Sequence, residues 1–256
     1  LEFTTIQNKK TFYRFSKRSL DKQTAVICIH GSGADSVVWS YQLSRLSRQF
    51  RVIIPDLPGH GQSEGDPLDT AEAYAHWLDT FLEVLSVNSF FLMGHSFGGA
   101  VAQAYARHYP RKVKGLILIG TGTNFRFSKI YLELHKKGLD LSQPQNLKQI
   151  FSEINVPDTF IRVYEALKGM SSQALHHDLL AAGKFDSTAW ITSLDIPSLV
   201  IWGGYDSITP KELPQKLSDF LPRSELKIVE KSGHVVMIDA RDEFNKLVKE
   251  FIEKNT

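Results

Sequence analysis

Two hydrophobic rhythms alternate along the chain. Short runs rich in β-branched and aromatic residues recur at Ala25 to Ile29, Arg51 to Pro55, Phe90 to Met93, Val113 to Ile119, Pro197 to Trp202 and Leu226 to Glu230. Between them lie longer stretches whose apolar residues return every three or four positions: near 37–48, near 70–86, from Phe97 to about Tyr109, after Pro210, and from about Arg241 to Ile252. Compact apolar runs read as strands and 3.6-period stretches as helices. Strands separated by helix-length segments pair in parallel through right-handed crossovers, and such sheets carry their functional loops at the strand C-terminal ends. Residues 2–7 and 11–16 read instead as an antiparallel hairpin around Gln7-Asn8-Lys9-Lys10. The fold class expected is α/β, with a mostly parallel sheet flanked by helices.

The rhythm breaks between about Asn124 and Phe185. There the apolar residues Leu147, Ile150, Phe151, Ile154, Phe160, Ile161, Tyr164 and Leu167 follow helical spacing with no strand between them. The expected organisation is one α/β core made of residues 1–123 and 186–256, with 124–185 inserted as a helical cap. Phe125, Phe127, Tyr131 and Leu132 at its start would wall an apolar acyl pocket or fill the core of the cap.

Composition narrows the function classes. Thirty basic and twenty-eight acidic residues leave a formal charge of +2 without a long run of one sign, so nucleic acid and anionic membrane surfaces are not expected partners. The longest apolar runs are strand-sized, far short of the roughly 20 residues that span a bilayer. The single Cys28, inside Val26-Ile27-Cys28-Ile29, reads as a small buried hydrophobe rather than a nucleophile. One free thiol and no visible export signal make the cytoplasm the default expectation.

Candidate chemistry centres on Phe90-Phe91-Leu92-Met93-Gly94-His95-Ser96-Phe97-Gly98-Gly99, an apolar strand that runs through Gly-x-Ser-x-Gly into a helical pattern. A nucleophile on a sharp strand-to-helix turn needs a strained backbone, and flanking glycines remove the β-carbons that would collide. The turn would present the Ser96 hydroxyl and aim the N–H of Phe97 at an oxyanion. Ile29-His30-Gly31-Ser32-Gly33, after an earlier strand, would offer a second oxyanion donor from the Ser32 N–H. The competing reading of that loop is a glycine-rich turn without a role.

A serine hydroxyl needs a base. Among nine histidines, His30 and His95 sit in the turns just described, His60 lies in the loop Asp56 to Ser63, and His76, His108, His135, His176 and His177 fall on helices or in the insertion. His234, in Lys231-Ser232-Gly233-His234, directly follows the last strand and is the candidate base. Asp206, in Gly203-Gly204-Tyr205-Asp206 just past the strand Pro197 to Trp202, is the candidate acid, because the rival loop Gly120 to Asn124 holds no carboxylate. Asp239 ranks behind it, since it falls in or beside the following helix.

Ser, Asp and His in that chain order, each after a strand, is the order of the α/β-hydrolases. With His30-Gly31, Asp56-Leu57-Pro58-Gly59-His60-Gly61, Gly94 to Gly99, Gly203 to Asp206 and Gly233-His234, the chain resembles that family over nearly its whole length, specifically its capped bacterial carboxylesterase-like members. The resemblance implies an eight-stranded, mostly parallel sheet, a helical cap and no cofactor. The expected activity is cleavage of a small to medium carboxylic ester through an acyl-enzyme, with Ser96, His234 and Asp206 as triad and a small-molecule substrate. Hydrolysis of a carbon–carbon bond, lactone or thioester stays open, as does a scaffold that only binds a ligand. Serine at the elbow sets aside branches that need a carboxylate nucleophile. No His/Asp/Glu cluster has ligand spacing, so no metal is expected.

Overall fold

A computed structural model describes residues 2–137 and 171–256. The apolar segments at 147–167 lie outside the described residues. The elements in order are β1 (Glu2–Ile6), β2 (Lys9–Phe15), β3 (Ala25–Ile29), α1 (Ser40–Leu46), β4 (Arg51–Pro55), α2 (Ala71–Val84), β5 (Phe90–His95), α3 (Phe97–His108), β6 (Val113–Ile119), α4 (Arg126–Lys136), α5 (Ser172–Lys184), β7 (Ser198–Gly203), α6 (Glu212–Phe220), β8 (Ser224–Val229), α7 (Val236–Asp239) and α8 (Arg241–Lys254).

The eight strands form one sheet in the order β1-β2-β4-β3-β5-β6-β7-β8. β2 pairs antiparallel with both β1 and β4, and all the other pairs are parallel. Central strands covered by helices on both faces read as continuous apolar runs, and β3 and β5 are buried throughout. Their side chains still alternate between the faces. Ile27, Ile29, Phe90 and Leu92 join a core with α2 and α3 residues such as Tyr74, Leu78 and Val101. Val26, Cys28, Phe91 and Met93 join the opposite core with Trp39, Phe244, Val248 and Phe251. Burial pushes the Cys28 thiol pKa up, which fits a packing residue. Trp39 is fully buried, with its ring 6.3 Å from Phe244.

Two local differences from expectation have physical causes. The β1–β2 turn is tighter than expected, because Gln7 and Asn8 take positive φ (50° and 63°) and Lys9 already pairs with Ile6. Two residues with φ > 0 make a turn whose twist matches the strands. The first turn of the 37–48 helix is a 3₁₀ segment, Ser36–Trp39, capped by Asp35 accepting from the Val37 N–H at 2.7 Å.

Helices α4 and α5, at the two ends of the expected insertion, pack against each other, and Gly183 leaves room for the backbone of Ser128. Among the described residues no helix is long and apolar enough to cross a membrane.

Phe91 is fully buried between the sheet and α8, with its ring edge-on to Phe251 at 6.1 Å. Phe91→Ala is expected to lower the unfolding free energy by about 3–5 kcal/mol. Urea denaturation, with the midpoint falling at constant slope, checks it.

Candidate active site

The site is assembled at the C-terminal edge of the parallel strands. β5 ends at His95, and Ser96 turns the chain into α3 with φ 52° and ψ −121°. Such a backbone is strained for a non-glycine residue and persists only where its surroundings over-determine it. The Ser96 N–H donates to the Ile119 carbonyl at 2.8 Å, and the Ser96 carbonyl accepts the Gly99 N–H at 2.9 Å. A β-carbon on Gly98 would lie 2.5 Å from the His30 and Ile29 carbonyl oxygens, and one on Gly94 would overlap the Gly98 carbonyl. The glycines expected to open this turn do so, and Ser96 stays half-buried with access to solvent.

The loop after β3 lies beside this turn: a methyl on Gly31 would sit 3.2 Å from Ser96 Cβ and 3.0 Å from His95 Nδ1. Ser32 is the next residue. Phe97 begins α3, where the first N–H groups of a helix have no partner inside it.

Asp206 follows β7 and its side chain is fully buried. Its Oδ1 accepts the N–H groups of Ile208 and Thr209, both at 2.9 Å, and its Oδ2 lies 2.8 Å from His234 Nδ1. Burial by itself pushes the Asp206 carboxyl up, but the His234 ring and the two backbone N–H groups outweigh it and hold the carboxyl below its ordinary value. An ionised Asp206 requires the proton on His234 Nδ1, which leaves Nε2 as an acceptor.

His234 keeps 9% of its side chain exposed. Its ring is 4.7 Å from that of His95, the residue before Ser96, and its carbonyl accepts from His95 Nε2 at 2.9 Å. Burial, then the neighbouring His234, lowers His95 to about 3, so His95 is a neutral brace. The rival acid position holds Gly120 at φ 53°, where a side chain would come 3.1 Å from His234 Nδ1; the imidazole occupies that space. Asp239 accepts the Gly233 N–H at 2.9 Å, so it anchors the backbone leading to His234. Among the described residues, no group of three or more His, Cys, Asp or Glu is placed to hold a metal ion.

A second histidine–carboxylate pair went unread in the sequence. His60 Nε2 lies 2.9 Å from Asp178 Oδ2, with both side chains completely buried. His60 Nδ1 is 2.9 Å from the Pro58 carbonyl, so both ring nitrogens face acceptors and each needs a proton. Burial opposes that charge, but the Asp178 carboxylate and the Pro58 carbonyl outweigh it and raise the His60 pKa. The available signal was Asp178 itself, a charged residue in the buried stripe of α5 with Leu175, Leu179 and Ala182.

With that geometry in place, comparison with known proteins identifies relatives. The family model described as alpha/beta hydrolase fold matches residues 24–240. A pimeloyl-[acyl-carrier protein] methyl ester esterase of Neisseria meningitidis is 28% identical over 94% of this chain and 98% of its own length. A 2-hydroxy-6-oxo-6-phenylhexa-2,4-dienoate hydrolase of Burkholderia cepacia is 26% identical over 98% of this chain and 96% of its own. Among solved structures, a thermophilic esterase from Thermogutta terrifontis superposes with a TM-score of 0.84 at 24% identity, covering 100% of both chains.

A raised folded-state histidine pKa contributes stability in full below the unfolded value of about 6.5 and loses it as pH rises through the folded value. The melting-temperature gap between wild type and Asp178→Asn is therefore expected to be widest near about pH 6 and to narrow towards about pH 9. Thermal scans across that range check the sign; a gap that widens with pH rules out the buried imidazolium.

Proposed function

This chain belongs to the alpha/beta hydrolase fold family, and from that membership we propose that it is a serine hydrolase cleaving a small to medium carboxylic ester through an acyl-enzyme intermediate. The observation that carries the reading is the 2.8 Å contact between His234 Nδ1 and a buried, low-pKa Asp206, on the same sheet edge as a strained Ser96.

In the proposed mechanism, Ser96 Oγ attacks the acyl carbonyl while His234 Nε2 takes its proton. Asp206 stays ionised and stabilises the imidazolium that forms. Negative charge moves to the former carbonyl oxygen, which the N–H groups of Phe97 and Ser32 receive; removing one such donor typically costs about 10²–10³ in rate. The intermediate collapses as His234 returns the proton to the leaving alcohol. Water, deprotonated by the same ring, then releases the acid from Ser96. Residues 124–185, with α4 and α5 at their ends, would form the cap over this edge.

The esterases among the similar proteins support cleavage of an ester. A second reading, hydrolysis of a carbon–carbon bond in a diketone-like substrate, draws on the Burkholderia cepacia relative and its named hydroxy-oxo-dienoate.

Hydrolysis of p-nitrophenyl acetate and butyrate tests the assignment. Wild type is expected to turn over, with Ser96→Ala lower by on the order of 10⁶ and Asp206→Asn by about 10⁴ in kcat. A folded wild type inert on esters but active on a 2-hydroxy-6-oxo-dienoate moves the assignment to the second reading. One inert on both leaves a binding scaffold.

A further inference from the structure

The Asp178 carboxylate gathers three donors from three parts of the chain. Its Oδ2 accepts the Gly33 N–H at 2.9 Å and the His60 Nε2–H at 2.9 Å, and its Oδ1 accepts the Tyr74 hydroxyl at 2.8 Å. Gly33 follows Ser32 in the loop after β3, His60 sits in the loop after β4, and Tyr74 lies on α2. Each donor leads towards the site. The Tyr74 ring stands edge-on to Phe97 at 5.6 Å. The His60 ring is 5.0 Å from His30, whose Nε2 accepts the Leu57 N–H at 3.1 Å. That bond places the His30 proton on Nδ1, which donates to the Gly31 carbonyl at 3.0 Å.

The peptide plane turns these contacts into a direction. Gly31 C=O and Ser32 N–H belong to one planar trans unit and point opposite ways. The carbonyl end is held by His30 Nδ1 and by the Ala34 N–H at 3.2 Å, so the Ser32 N–H is aimed away from both. The next plane, Ser32 C=O with Gly33 N–H, is held at its N–H end by Asp178. Gly33 takes φ 66°, so a small rotation there would re-aim the whole turn.

We propose that Asp178 is a positioning residue for the oxyanion hole: from α5 it pins the Gly33 peptide beside Ser32 and, through Tyr74, seats Phe97, so that both donor N–H groups keep their aim. This rests on the serine hydrolase reading of Ser96. A buried ion pair adds little to stability over well-packed apolar side chains. What an apolar residue could not do is accept an amide, an imidazolium and a phenol at one point and so lock three loops and helices together. Because the hole acts on charge that exists only in the transition state, loosening it lowers kcat and leaves substrate binding nearly unchanged.

The test compares wild type, Asp178→Asn, Asp178→Ala and Tyr74→Phe on p-nitrophenyl butyrate. Alongside, it measures inhibition by an alkyl trifluoromethyl ketone, which forms an oxyanion on serine, and by butyrate, which does not. Folded fraction is set by circular dichroism. The expected result is a kcat loss of about 10- to 10³-fold in the Asp178 variants and a smaller one in Tyr74→Phe. KM and butyrate inhibition should move less than about threefold, while the ketone weakens by the same factor as kcat/KM. Folded Asp178→Asn and Tyr74→Phe proteins with wild-type kcat and ketone affinity, differing only in melting temperature, overturn the proposal; they decide it even if Asp178→Ala does not fold. A wild type that neither hydrolyses the ester nor binds the ketone overturns the hydrolase reading and this inference with it. Active wild type with matching variants overturns this inference alone.

Discussion

The candidate site depends on a strained serine that the sheet must hold in place. Ser96 holds φ 52° without being a glycine, a state that costs roughly 1–3 kcal/mol and must be held by its neighbours. The restraint comes from the centre of the sheet. β5 lies between β3 and β6, and its register against β3, from Ala25 opposite Phe90 to Ile29 opposite Gly94, brings the β3 loop to the elbow. The register against β6 puts the Ile119 carbonyl where the Ser96 N–H needs an acceptor. A slip in either pairing would remove the elbow's anchors and its neighbouring loop together, so the two apolar cores that fix the sheet also fix the site.

The fold was largely legible because the strands that build it are buried on both sides. Arg51–Pro55 and Val113–Ile119 begin and end where the apolar runs do. Legibility faded at the edges of the sheet, where pairing reaches into polar sequence. β8 starts at Ser224 and is mostly half-exposed, so its apolar segment marks only its later part. Lys9 and Lys10 likewise read as turn residues but pair as strand, because two residues with positive φ complete the turn before them.

The candidate site divides in the same way. Ser96, Asp206 and His234 each sit in a loop after a strand, and Ser32 lies beside the elbow, so a local pattern and the rule about strand ends suffice to nominate them. Asp178 escaped because its partners Gly33, His60 and Tyr74 are 145, 118 and 104 residues away. No window of sequence contains that contact. His60 was visible as a loop residue, but the acceptors on both its nitrogens exist only after folding.

The two histidine–carboxylate pairs differ in what their geometry permits, and the roles proposed for them follow from that difference. In both, a buried carboxylate meets an imidazole nitrogen at 2.8–2.9 Å. His234 has its carboxylate on Nδ1 only, keeps some exposure, and is left with a second nitrogen able to take a proton. His60 has acceptors on both nitrogens and no exposure, so a proton has nowhere to go without leaving a buried acceptor facing a lone pair. Proton transfer needs a vacancy, and positioning needs that every vacancy be filled. A carboxylate that also accepts Gly33 and Tyr74 is suited to the second task, and one that leaves its imidazole half free is suited to the first.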